Sequence, residues 1–75
     1  MLNKRLIIEM LNYDVVKYQY YHNLYEKAED PIEHELQWNN MYRYSSSLEA
    51  RKQMCTAFGY KLVYNGEIIV DILPS

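Results

Sequence analysis

Between Asn3 and Glu29 the chain has neither glycine nor proline, and its apolar residues return every three or four positions. Ile8, Leu11, Val15, Tyr18, Tyr21, Tyr25 and Ala28 form one row at helical spacing. Leu2, Leu6, Met10, Tyr13, Tyr20 and Leu24 form a second row beside it. On a helical wheel the rows merge into an apolar arc of roughly 200°, about twice the stripe one core contact needs. Arg5, Glu9, Asn12, Gln19, Asn23 and Glu26 fill the remaining side. A helix this widely apolar is expected to pack against more than one neighbour.

An unbroken helix over 3–29 would run about 40 Å, whereas a compact domain of this size is about 30 Å across. Asn12 and Asp14 are good N-cap residues, and a break near 12–14 would relieve that mismatch. Against a break, Ile8, Leu11, Val15 and Tyr18 stay in phase across it, which favours one helix. The overhang of such a helix would need something to cover it.

Clearer punctuation follows. Asp30-Pro31-Ile32-Glu33 supplies an N-cap, a proline at the first helical position and a glutamate placed for a capping box. A helix over 31–44 is expected there, with acidic residues in its first turn suiting the helix dipole. Ser46-Ser47-Leu48-Glu49 reads as a second capping box, which implies a break near Ser45 and a further helix over 47–58. That helix carries Ala50, Met54, Ala57 and Phe58 on one face and ends at Gly59.

Segments 60–64 and 67–72 flank Asn65-Gly66, the preferred pair for a type I′ turn. In that register Tyr64 faces Glu67 and Val63 faces Ile68, so Val63, Ile68, Val70 and Ile72 should face the helices. Tyr60, Leu62, Tyr64, Glu67, Ile69 and Asp71 take the other face, and Pro74 stops the strand. The expected fold is α+β in one domain over 1–75: a helical hairpin or small bundle with a C-terminal antiparallel β-hairpin.

No constellation for catalysis, metal or cofactor stands out. His34-Glu35 opens like a zinc-protease motif, but Trp38 occupies the place of the second histidine, so the two imidazoles of a metal site are missing. Cys55, the single cysteine, excludes an intrachain disulfide and reads as a small hydrophobe. The glutamates of 26–35 sit at a helix junction, where they cap and solubilise. Gly59 and Gly66 are both explained by structure, which leaves no phosphate-binding loop. The expectation is therefore a protein that is not an enzyme. The apolar run Leu6–Met10 is too short for a signal-peptide core or a membrane span. With the lone cysteine, this points to the cytoplasm. A composition poor in Gly, Ala, Arg and Pro resembles AT-rich coding and fits a small phage or mobile-element accessory protein.

Nine tyrosines stand against one phenylalanine and one tryptophan. Tyr18, Tyr21 and Tyr25 suit the core of the first helix. A body of 75 residues, which hides only about 60–65 % of its unfolded surface, cannot enclose all the rings. Tyr13, Tyr20, Trp38, Tyr42 and Tyr44, with the acidic Glu26, Glu29 and Glu33, are the candidate partner-binding residues, because Tyr and Trp dominate binding hot spots. The expected function is docking on a protein partner to modulate or inhibit it. A homodimer would satisfy the same arithmetic.

The alternative is a small dimeric DNA-binding regulator. Its element order is similar to that of winged-helix and Cro-like domains, with no specific motif behind the similarity. Helix 47–58 would present Ser47, Arg51 and Lys52 to the major groove, with Arg43 and Lys61 on phosphates. A net charge of −2 supplies no overall basic field for it.

Overall fold

A computed structural model describes residues 3–75, so Leu2 of the second apolar row lies outside the described residues. Its elements are α1 (Lys4–Lys27), α2 (Pro31–Ala57), β1 (Tyr60–Asn65) and β2 (Ile68–Pro74). Two helices form a hairpin, and a two-stranded antiparallel sheet packs β2 on α1 and β1 on α2. The fold is α+β, as expected.

α1 is one unbroken helix. The Asn3 side chain caps it by accepting the Leu6 N–H at 3.1 Å. Asn12 and Asp14 cap nothing, because both reach across to other elements. α2 begins as its sequence implies, with the Asp30 carboxylate accepting the Ile32 N–H at 2.9 Å and Pro31 in the first turn. The Glu33 carboxylate takes the Gln37 amide at 2.7 Å, one turn on.

The expected break near Ser45 does not occur. The segments 31–44 and 47–58 are a single helix, α2. No proline or glycine interrupts the backbone bonds there, and a serine inside a helix costs only about half a kcal/mol relative to alanine. The Ser47 hydroxyl donates to Asp14, which ties this stretch of α2 to α1. The helix ends at Ala57 with Phe58 as its C-cap, and Gly59 follows in the left-handed region (φ +84°) that a side chain would resist.

The hairpin is present, but its turn sits one residue later than expected. Asn65 pairs with Ile68, enclosing Gly66-Glu67. A type I′ turn needs positive φ at both central residues, and here Gly66 alone has it (φ +66°). Glycine in the first central position is the pattern of a type II′ turn. A register shift then follows: Tyr64 pairs with Ile69, Val63 pairs with Asp71, and Val70 is left over as a bulge. The bulge turns Ile69 and Ile72, three residues apart, onto the same face, where they are 1 % and 0 % exposed. Val70, expected inside, is 51 % exposed, and Ile68 also lies at the surface.

The buried apolar core among the described residues is accordingly small: Leu11 and Val15 from α1, Ile69 and Ile72 from β2. Tyr18, Tyr21 and Tyr25 are half-buried. Ala50, Met54 and Ala57 of α2 and its C-cap Phe58 are all exposed. The molecule measures 46 × 21 × 17 Å. Contacts of β2 and of its turn residue Glu67 reach along α1 from Lys4 through Asn12 to Gln19. Past Gln19 the helical hairpin extends beyond the sheet, which is the overhang that an unbroken α1 implies.

Candidate binding surface

Tyr25 stacks on His34 at 4.0 Å and Tyr21 on Tyr44 at 5.6 Å, so residues 34–44 of α2 run alongside 21–25 of α1. Tyr44 also meets Tyr13 edge-on at 6.2 Å, and Tyr20 meets Tyr21 edge-on at 5.1 Å. Tyr13, Tyr20 and Tyr44 are thereby brought into one cluster, with Tyr21 as the ring that joins them. Such pairs contribute about 0.5–1.5 kcal/mol each beyond area burial. Lys17 lies 5.6 Å from the Tyr13 ring and the Arg43 guanidinium 6.0 Å from the Tyr44 ring, so cations flank the cluster.

Trp38 and Tyr42 stand apart from that cluster. One helical turn separates them on α2, and their rings lie parallel at 5.3 Å and 9°. Tyr13, Tyr20, Trp38 and Tyr42 are all exposed, whereas Tyr44 is half-buried. The stacking holds the Trp38 and Tyr42 rings in place while leaving outer edges open to solvent. Glu26, Glu29, Asp30, Glu33 and Glu35 are exposed around the same end of the helical hairpin, with Lys27 the one cation among them. Glu26 is within 3.3 Å of His22 Nε2. The overhang is thus an aromatic surface with an acidic tip.

The residues of the DNA-binding alternative fall in three separate places. Arg51 Nη1 donates to Asp14 Oδ2 at 2.8 Å and to the Met10 carbonyl at 3.3 Å, and the Ser47 hydroxyl donates to the same Asp14 oxygen at 2.9 Å. Both side chains are committed to joining the helices. Lys52 sits 5.4 Å from the Tyr64 ring and 3.8 Å from Glu49. Lys52 and Lys61 line a hollow of about 430 Å³ beside Tyr60 and Tyr64, while Arg43 lies by Tyr44. With α2 continuous, 47–58 is not a separate recognition helix.

Two structural residues escape a reading of the sequence. Asn12 falls among the polar side of the wheel, yet its amide exchanges two hydrogen bonds with the Ile69 backbone. Asp14 is 2 % exposed. The signal for Asp14 was present: a lone carboxylate inside the apolar arc of α1 calls for a cation on the facing helix. Asn12 gives no such sign, because its partner is backbone.

Elsewhere, Cys55 is half-buried in an apolar groove between α1 and the end of α2. Among the described residues, no three His, Cys, Asp or Glu side chains come together at metal-binding range. No described helix is long and apolar enough to cross a membrane. Comparison with protein-family models, curated proteins and solved structures finds no match to this chain.

Proposed function

We propose that the chain is a non-enzymatic protein-binding module that docks its overhanging helical hairpin on a basic surface of another protein. One observation carries this reading: Trp38 stacks on Tyr42 and Tyr20 packs edge-on against Tyr21, so Trp38, Tyr42 and Tyr20 are ordered by ring contact yet exposed, on the half of the helical hairpin that ends in acidic residues. Rings already held in place lose little side-chain entropy on binding, which is what makes Tyr and Trp effective anchors. Glu26, Glu29 and Glu33 would steer a positively charged partner and favour it over acidic competitors. Modulation or inhibition of that partner is the corresponding role. No second reading is favoured, since Ser47 and Arg51 are engaged with Asp14.

The test uses Trp38, the only tryptophan, as reporter. A partner captured on immobilised wild-type chain, but not on Tyr42→Ala or Tyr20→Ala, is purified and titrated back. The expected result is saturable binding that shifts Trp38 emission and weakens as salt rises. Equal capture by wild type and both variants would falsify the reading.

A further inference from the structure

The opposite end of the helical hairpin carries a second surface, independent of the aromatic overhang. Ile7, Met10 and Leu11 of α1 and Met54 and Cys55 of α2 enclose an open groove of about 250 Å³ whose walls are almost wholly apolar. That volume is below the ~300–1,000 Å³ of small-molecule sites and suits one inserted side chain. Phe58 completes the lining and is 73 % exposed, while Met54 is 58 % exposed. A recess and a projecting ring therefore lie side by side on one patch.

We infer that this patch is a self-association surface, with Phe58 of each chain seated in the groove of a second copy. A two-fold interface must be self-complementary, so one patch has to carry both projection and recess. This patch does. Among the described residues its one charged lining group, Arg51, is already paired with Asp14 and leaves no unmet charge for the contact to neutralise. With four buried apolar side chains among the described residues, the monomer also has the small core that oligomerisation commonly supplements.

The experiment is sedimentation equilibrium on the purified chain from low-micromolar to millimolar concentration, so its outcome does not depend on any other protein. Wild type is expected at twice the 9.1 kDa chain mass. Phe58→Asp and Met54→Glu are expected at half the wild-type mass with an unchanged helical circular-dichroism spectrum, and Asn39→Ala, on exposed α2 surface, stays dimeric. Reaction of the Cys55 thiol with a small disulfide reagent gives a second readout that needs no substitution. It should slow as concentration rises through the dimerisation range. A monomer at every concentration, a dimer indifferent to both substitutions, or a Cys55 rate independent of concentration overturns the inference.

Discussion

The side-chain amide of Asn12 exchanges two 2.8 Å hydrogen bonds with the backbone of Ile69, donating to its carbonyl and accepting from its N–H. A helix residue thus takes the place of a neighbouring strand along the free edge of β2, at the residue beside the bulge. Edge strands need such cover, and here the cover also locks the register that buries Ile69.

Replacing Asn12 should unseat the hairpin. Asn12→Leu leaves both backbone groups of Ile69 without their partner, at about 1–3 kcal/mol for each group left unsatisfied. Asn12→Asp keeps the shape but sets a carboxylate oxygen against the Ile69 carbonyl. Both variants should unfold at lower urea than wild type. The Ile69 amide should also lose protection in hydrogen exchange. Retained protection in both would show that the pair contributes nothing.

Asp14 and Arg51 form the partly buried ion pair between the helices. Arg51→Met strands a carboxylate that is 2 % exposed, and breaking such a pair from one side costs about 3–5 kcal/mol. The double variant Asp14→Leu, Arg51→Met should recover much of that loss, because it removes the charge along with its partner. Urea melts of the four-member cycle measure this directly. If the double variant is less stable than Arg51→Met, the desolvation argument is wrong.

At the far end of the sheet, the ammonium of Lys4 donates to Asp71 at 3.1 Å. That bond, followed by the Ile72 N–H on the same carboxylate, holds the Asp71 pKa below its ordinary value of 3.8. A depressed carboxylate pKa adds stability that is present above 3.8 and lost as pH falls through the lower, folded value. Lys4→Met should therefore flatten the acid limb of the stability curve below pH 4 and leave its shape near neutrality unchanged. Denaturant midpoints taken across that range test the sign, and an acid limb as steep as that of wild type would count against it.

Gly66 supplies the one positive φ the turn requires, and nothing lies within 4 Å of where a Cβ would stand. Gly66→Ala should cost about 1–2 kcal/mol through backbone conformation alone. The D-alanine analogue, made by chemical synthesis, should be neutral or slightly stabilising, since it prefers this region and restricts the unfolded chain. Thermal melts of the two diastereomers separate backbone strain from crowding. Equal losses would point to crowding instead.

Local chemistry determined which elements form. Asp30-Pro31 opens α2, Gly59 closes it, and the unpunctuated span after Asn3 makes α1, because caps and helix breakers act within a turn of themselves. The tyrosine excess likewise announced exposed rings before any contact was known, since a chain this short cannot enclose them. Only the tertiary structure decided what depends on distant partners. α2 runs on through Ser45–Ser47, where Ser47 and Arg51 hold it against Asp14 of α1. The strand turns its face at Val70 because Asn12 holds Ile69 and the core accepts Ile69 and Ile72 together. A turn dipeptide cannot report either fact, and period-two alternation fails at the residue where a bulge pays for a better-buried pair.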